Sequence, residues 1–352
     1  MSSSFRPWSS RLWNGWLRVL ALAFLPCVVG SFPGAQTLKL GTIVPEGSLW
    51  DKAMRQLGAA VARDTAGRVK FQIYPGGVAG DETDLLRKMR IGQLQAALIS
   101  APGMAEVDPA FNLFQVPLFF ESGEEVRLVI DGLCPVLEQR LSDKGFVLLH
   151  WGDTGWMRIF SSKPIASIAD FRRLKQFVWG SETRLGTWYQ ELGLRPVSLS
   201  ANDVLTGLQT GLIEALPVTP LAALSLQWFR SAPYMFDNRF APLLGATIVS
   251  QAAWNKLAPA DRETLLSLAR QTETQLFQEI PEQEAEALAE MQKRGLTITK
   301  ELPSDAGEWL ELSRQFQERF RTSSVPPEVF DQAVKLLEQH RKTTAKPPET
   351  ER

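Results

Sequence analysis

The stretch GRVKFQIYPGGVAGDETDLLRKMRIGQLQAALIS, residues 67–100, carries the pattern that decides the fold. Residues 69–74 alternate between apolar and polar side chains, which is typical of a strand with one buried face. After the turn PGG, residues 81–91 place apolar side chains at helical spacing, and Gly92 ends that pattern. The apolar run at residues 94–100 predicts a buried strand. Together they predict a βαβ unit with parallel strands.

Strands and helices alternate over most of the chain. Further strands are predicted at residues 38–44, 146–150, 173–179, 194–199 and 297–302. Alternating elements of this length favour an α/β fold with mainly parallel sheets. Because the strands fall into two series and the chain has 352 residues, the pattern predicts two lobes rather than one.

The last third of the chain changes to a helical pattern. Pro259 stands where the first residue of a helix belongs. One long helix is predicted from there toward Arg294, with a break or kink near Pro281. Because the tail from Arg341 is charged and contains prolines, we expect residues 341–352 to be disordered.

The first 35 residues have the composition of an export signal. Three arginines precede the first acidic residue, and residues 19–30 form a short apolar run followed by small residues. A bilayer span needs about twenty apolar residues, so the run favours a cleaved signal peptide over an uncleaved anchor, which is the alternative. Pro26 before Cys27 makes a poor lipidation site. The pattern therefore predicts a periplasmic protein.

Composition and motifs argue against several classes of protein. Lysine and arginine number 38, and aspartate and glutamate number 39, so no nucleic acid or anionic membrane surface is expected as a partner. After removal of the leader Cys134 is the one remaining cysteine, which leaves no disulfide and no cysteine metal cluster. No hydrolase, nucleotide-binding or metalloprotease motif occurs in a fitting context. We expect neither a cofactor nor an enzyme, and an enzyme is the runner-up interpretation.

Four carboxylates near two predicted helix starts are candidates for a metal site. They are Glu46, Asp81, Glu82 and Asp84. Acidic residues at these positions commonly cap the first turn and oppose the helix dipole. We therefore interpret them as capping residues and expect no metal.

Aromatic residues lie beside several predicted strand ends. Open α/β sheets bind ligands outside the carboxyl ends of their strands, and two-lobed proteins bind them in the cleft. On this argument the candidate ligand-binding residues are Trp50, Phe119, Trp151, Trp156, Phe177 and Trp179. Packing in the core or between lobes is the alternative for each.

The order of these segments resembles a known family. Residues 40–54, 67–100, 116–120, 162–180 and 252–269 are each similar to a segment of it. From about residue 38 to about residue 321, the chain resembles the dicarboxylate-binding (DctP) type of solute-binding protein of TRAP transporters.

The resemblance implies a two-lobed periplasmic protein with a ligand cleft between the lobes and a long helix that braces both. Lobe I is expected at residues 38–154 plus about 243–282, and lobe II at residues 155–242 plus about 283–330. The implied partners are a small-molecule ligand and the TRAP membrane permease subunits, with membrane contact only through the permease. A sensor or an envelope lipid-handling system is an alternative destination for the ligand.

One position departs from the family pattern. Aligning residues 170–180 with the family segment that ends in Arg-Val-Pro-Gly puts Phe177 where the family has a carboxylate-binding arginine. Arg158 resembles a second family arginine, and with Pro217 it completes the candidate site. Because phenylalanine cannot pair with a carboxylate, the sequence favours an apolar or aromatic ligand. Binding of an acid through Arg158 stays open.

Export gives the first testable prediction. We expect a periplasmic extract to contain a mature chain that begins between Ser31 and Leu38, because the apolar run matches a cleavable signal peptide. N-terminal sequencing of the extracted protein measures this. An intact Met1 in the cytoplasmic fraction would contradict it.

Overall fold

The computed structural model describes residues 35–179, 183–200, 203–300, 304 and 306–344. The expected signal peptide, apart from Ala35, lies outside them. The strands are β1 (Gln36–Thr42), β2 (Val69–Tyr74), β3 (Ala96–Ser100), β4 (Phe146–Ser161), β5 (Lys175–Trp179), β6 (Arg195–Leu199), β7 (Ala215–Val218), β8 (Tyr234–Ser250) and β9 (Thr297–Thr299).

The helices alternate with the strands until the C-terminal third. They are α1 (Leu49–Asp64), α2 (Glu82–Arg90), α3 (Ala101–Ala105), α4 (Gly123–Asp143), α5 (Ile168–Arg173), α6 (Thr183–Glu191), α7 (Val204–Gln209), α8 (Pro220–Ser225), α9 (Gln251–Trp254), α10 (Pro259–Lys293), α11 (Ala306–Ser323) and α12 (Pro327–Thr344), with short 3-10 helices at Pro109–Gln115 and Trp228–Arg230. None of these helices is both long enough and apolar enough to cross a bilayer.

All the described strands join one mixed sheet of order β2-β1-β3-β8-β4-β7-β5-β6, with β9 paired to β8. One parallel group consists of β1 with β2 and β3, and the other of β5 with β6 and β7. Between them lie β4 and β8, which are antiparallel to each other. Strand β4 is also antiparallel to its other neighbour β7, and β8 to its other neighbour β3. The predicted α/β fold is confirmed, and its two series of strands are joined by this antiparallel pair.

The sequence pattern missed much of that pair. It ended β4 at His150, whereas the strand continues to Ser161, and it did not predict β7 or β8. Glycine, proline and aspartate are poor strand formers, and they interrupt both strands in the segments WGDTG and FDNRFAPLLG. The pairing with a neighbouring strand overrides these local preferences.

Helix α10 is the long helix that the resemblance implied. It has 35 residues, which at 1.5 Å per residue makes it about 52 Å long. The helix is continuous through Pro281, which lies on its exposed side. The predicted break is therefore absent, and the helix tolerates one missing backbone hydrogen bond.

The buried side of α10 touches two separate groups of core residues. Near its start, Leu265 and Leu276 belong to a cluster with residues of α1 and β1. Near its end, Met291 belongs to a cluster with Phe160 and Phe177. The same helix therefore packs against both halves of the sheet.

The chain near its C-terminus differs from the expectation. The tail predicted to be disordered from Arg341 is helical as far as Thr344. The guanidinium group of Arg341 donates to both carboxylate oxygens of Glu125, at 2.6 and 2.8 Å, and to the carbonyl oxygen of Phe119. These bonds hold the last turn of α12 against α4. Residues 345–352 lie outside the described residues.

Truncation of Leu276 tests the packing of α10. Its side chain is 1% exposed, so Leu276→Ala should lower the free energy of unfolding by about 2–5 kcal/mol through lost burial and the cavity left behind. Leu310→Ala, at a position that is 53% exposed on another helix, should change it by less than about 0.5 kcal/mol. Urea denaturation measures both, and equal effects would contradict the packing described here.

Candidate ligand-binding site

The carboxyl ends of the two parallel groups of strands point toward each other. Ser100, the last residue of β3, lies opposite Gly245 of β8, and Gly152 of β4 lies opposite that same glycine. Val218, the last residue of β7, lies opposite Arg158 of β4. Only residues 153–157 of β4 separate these two points. Strand ends that face each other in this way form the usual binding position of an open α/β sheet.

Strand β4 is irregular across this separation. Its register with β8 shifts between Asp153 and Trp156 and again after Met157. Gly155 has a φ of +91°, a left-handed conformation that favours glycine, and its N–H donates to the Asp153 carboxylate at 2.8 Å. The indole N–H of Trp50 donates to the carbonyl oxygen of Asp153, also at 2.8 Å. We call residues 153–157 the crossing segment.

The crossing segment rests on a buried carboxyl group of α10. Glu284 is 8% exposed, and its Oε1 accepts a hydrogen bond from the backbone N–H of Trp156 at 2.8 Å. A Cβ atom on Gly155 would collide with the carboxyl group of Glu284, so a larger residue would have to displace that side chain. Burial raises the pKa of Glu284 to about 7 and that of Asp153 to about 6.

Arg158 is the cation at the strand ends. Its side chain is 14% exposed, and its Nη1 donates to Oδ1 of Asp237 at 3.0 Å. Its Nε is buried and has no hydrogen-bond partner among the described residues. Desolvation lowers the pKa of this guanidinium group, although Asp237 and Glu284 oppose the effect. A buried guanidinium group with an unused N–H can bind a carboxylate.

Five of the candidate site residues lie at or near the facing strand ends. Trp50, Trp156 and Arg158 are half-buried in or beside the crossing segment. Pro217 pairs with Ile159 one position before the end of β7. Trp179 is the last residue of β5 and is 38% exposed, so it offers an indole surface.

The other three candidates are packed in the core, with at most 3% of each side chain exposed. Trp151 contacts Phe111 and Phe114 with ring centroids 5.8 and 5.2 Å away. Phe119 packs against Phe330 of α12. Phe177 is buried on β5, and its ring centroid lies 4.8 Å from that of Trp179. In this pair Trp179 is the ring that reaches solvent.

Sequence reasoning did not find Asp153, Asp237 and Glu284. Asp153 lies in a segment that was not expected to be strand, and Asp237 lies in the missed strand β8. Glu284 is one of many glutamates on α10. Glu284 follows Leu276 and Ile280 at intervals of four residues on the buried face of the helix, and this spacing was the available signal of its burial. The spacing does not indicate which groups the buried carboxylate contacts.

The four carboxylates near the helix starts are engaged in local bonds. Asp81 caps α2, and Glu82 accepts from the backbone N–H and hydroxyl group of Ser100 at 2.6 Å each. Glu46 pairs with Arg55 and Asp84 with Arg87. Within the described residues, no group of three or more histidine, cysteine or acidic side chains is arranged to hold a metal ion.

A known protein family matches most of the chain. Residues 40–323 match the model of the family described as "Bacterial extracellular solute-binding protein, family 7", also named DctP. The chain belongs to this family. The resemblance found in the sequence is thereby confirmed, and because the family consists of solute-binding proteins, this member is a binding protein and not an enzyme.

Individual relatives are distant but cover most of the chain. The sialic acid-binding periplasmic protein SiaP of Vibrio cholerae is 22% identical over 276 residues, which are 76% of this chain and 84% of SiaP. An extracytoplasmic solute receptor of Bordetella pertussis that binds pyroglutamic acid has a TM-score of 0.78 at 19% identity, covering 86% of this chain and 100% of that chain. A TRAP periplasmic solute-binding protein of Pseudomonas putida with bound D-glucuronate has a TM-score of 0.76 at 22% identity, covering 90% and 100%. The structural similarities show the shared fold.

Substitution of Gly155 tests the contact with Glu284. Gly155→Ala places an alanine in a left-handed backbone conformation. Its Cβ should also displace the carboxyl group of Glu284 and break the hydrogen bond from the Trp156 N–H. Gly193→Ala is the matched control, because Gly193 has a φ of +76° with nothing within 4 Å of an added Cβ. The control should cost about 1–2 kcal/mol of unfolding free energy from backbone strain, and Gly155→Ala should cost at least about 1 kcal/mol more.

A second substitution separates strain from contact. In a Glu284→Ala background the extra cost of Gly155→Ala should disappear, leaving an effect equal to that of Gly193→Ala. Chemical denaturation of the four variants measures this. An extra cost that persists without the Glu284 side chain would mean that another contact is responsible.

Proposed function

We propose that this family member captures a small carboxylic acid with an apolar or aromatic body between the facing strand ends. The observation that carries the proposal is Arg158, a mostly buried guanidinium group whose Nε is unused among the described residues. A carboxylate removed from water costs several kcal/mol unless charge-assisted hydrogen bonds replace its hydration. Arg158 supplies such bonds where Phe177 does not.

The body of the ligand is inferred from the surfaces around Arg158. Trp179 presents an exposed indole at the end of β5, and Trp50 and Trp156 are half-buried beside the crossing segment. Apolar ligand surface buried against such rings contributes about 25 cal/mol per Å². The ligands of two structural neighbours, pyroglutamic acid and D-glucuronate, are acids, which supports a carboxylate group on the ligand. The apolar body of the ligand is inferred from this chain's own side chains alone.

The two halves of the sheet are proposed to be separate lobes. Lobe I comprises residues 38–154 plus about 243–282, and lobe II comprises residues 155–242 plus about 283–330. Their boundary falls at the crossing segment, whose register shifts make it the irregular part of β4. A ligand that contacts both lobes would shift the population toward a closed form.

The captured ligand is proposed to pass to membrane permease subunits of a TRAP-type transporter. Export to the periplasm through the N-terminal signal peptide would bring the protein to those subunits, and the family's extracellular solute-binding character supports this. Several structural neighbours are TRAP periplasmic binding proteins. Genes for one small and one large TRAP membrane subunit next to the gene for this chain would support delivery to a permease rather than to a sensor.

A thermal-shift panel tests the ligand class. The panel contains benzoate and cyclohexanecarboxylate, the uncharged benzamide and cyclohexanemethanol, and D-glucuronate. A ligand at a hundred times its Kd stabilises the protein by about 2.7 kcal/mol, so the two apolar acids should raise Tm. If D-glucuronate raises Tm and the apolar acids do not, the proposed apolar body is wrong. If only the uncharged compounds do so, the role of Arg158 is wrong.

Arg158→Gln tests the anchor directly. It should weaken benzoate binding at least about thirtyfold, because a charge-assisted pair contributes about 2 kcal/mol or more. Arg172→Gln, at an exposed position on α5, is the matched control and should leave the affinity unchanged. Isothermal titration calorimetry measures both, with circular dichroism to verify folding. Equal affinity in the parent and in Arg158→Gln would show that Arg158 does not bind the carboxylate of the ligand.

A further inference from the structure

Four charged side chains come from the crossing segment and from the residues that flank or contact it. Asp153 and Arg158 come from β4, Arg239 from β8 and Glu284 from α10. The guanidinium carbon of Arg239 lies 5.5 Å from the ring centroid of Trp156. Arg158 donates to Asp237 through Nη1 alone, so its Nε stays unused among the described residues.

Glu284 touches the backbone that leads to Arg158. Its carboxyl group contacts Gly155 and accepts from the N–H of Trp156, two residues before Arg158. A buried acid is therefore bonded to the backbone of the crossing segment, and the cation proposed to bind the ligand directly follows the last residue of that segment. Because Trp156 and Arg158 are two residues apart on the same strand, the carboxyl group of Glu284 lies within the distance over which charges in a protein interact.

We propose that Glu284 and Arg158 form a proton-linked pair, in which an anion bound to Arg158 causes Glu284 to take up a proton. The inference rests on the proposed function, because it takes Arg158 as the anchor for an anionic ligand. Glu284 is in this sense a positioning residue, which acts on the ligand through Arg158 and the crossing segment.

The charges around Glu284 give the direction of this linkage. Burial and the charge of Asp153 raise its pKa, whereas the Trp156 N–H, Arg158 and Arg239 lower it, with a resulting value of about 7. A bound anion offsets the charge of Arg158, so it raises the pKa further and drives protonation near neutral pH. Affinity for an anion should therefore increase as pH falls toward 7. The increase approaches about tenfold per pH unit if one full proton is taken up for each anion bound.

Among the described residues, two cations from earlier in the chain pair with carboxylates of α10 away from Glu284: Arg127 of α4 with Glu273, and Arg68 with Asp261. Helix α8 contacts α10 and has no titratable residue between Pro220 and Ser225. Helix α1 packs against α10 through the cluster that contains Leu265, and its Asp51 is paired with Arg55 at 2.9 Å.

The first experiment uses the protein without ligand and measures thermal stability from pH 5 to pH 9. Glu284 has a pKa above its ordinary value of 4.5, so it binds a proton more tightly in the folded state than in the unfolded state. Its contribution to stability is full in acid and is lost as pH rises through about 7. Glu284→Gln keeps the acceptor oxygen but cannot titrate, so subtracting its Tm profile from that of the parent isolates this loss.

Arg158→Gln imitates neutralisation of the cation by a bound anion. In the Arg158→Gln protein, the loss of thermal stability caused by deprotonation of Glu284 should occur at a higher pH than in the parent. Subtracting the Tm profile of the Arg158→Gln, Glu284→Gln double variant isolates this loss. Glu282→Gln, at an exposed position on the same helix, is the matched control and should follow the parent profile. The proposal is overturned if Glu284→Gln parallels the parent, or if Arg158→Gln leaves the transition at the same pH.

The second experiment measures proton uptake during benzoate binding at pH 7.5, by calorimetry in phosphate and in Tris buffer. The parent should take up protons, and Glu284→Gln should take up fewer. Equal uptake in both would overturn the linkage. Failure of benzoate to bind at any pH would count against the proposed ligand class. The Tm profiles measured without ligand would then test by themselves whether Glu284 and Arg158 are proton-linked.

Discussion

The pairing of β4 with β8 is the interaction on which the rest of the structure depends. These two long strands are the sole connection within the described sheet between its two parallel groups. Each group alone would leave an open sheet edge. Because β4 and β8 run through both halves, they also determine that the carboxyl ends of the two groups face each other.

The crossing segment combines two requirements that conflict in an ordinary strand. It has to continue the pairing, and it also has to let α10 approach closely enough to bury Glu284. The register shifts and the left-handed Gly155 make this possible, and the carboxyl oxygen of Glu284 satisfies the Trp156 N–H that the irregular pairing leaves for it. Burial raises the pKa of this carboxyl group to about 7, because the ionised form is poorly solvated there.

The position at which this chain departs from the family pattern lies in the core. Phe177 fills a buried position among apolar neighbours on β5, where it contributes to the core of its half of the sheet. The exposed end of that strand is instead formed by Trp179. The departure from the family pattern at this position is therefore compatible with the fold.

The sequence by itself determined the α/β class, the family, the parallel units and the long helix, because these follow from local periodicity and from the order of short segments. It also indicated Trp50, Trp156 and Trp179 as residues near strand ends, and Arg158 through its resemblance to a family arginine. Only the tertiary structure decided that Trp151 and Phe119 are core residues and that Glu284 meets Trp156, 128 positions away. The length of β4 and the existence of β8 were likewise decided by pairing. Contacts between residues far apart in the chain leave no local pattern, and strands held by their neighbours can contain glycine, proline and aspartate.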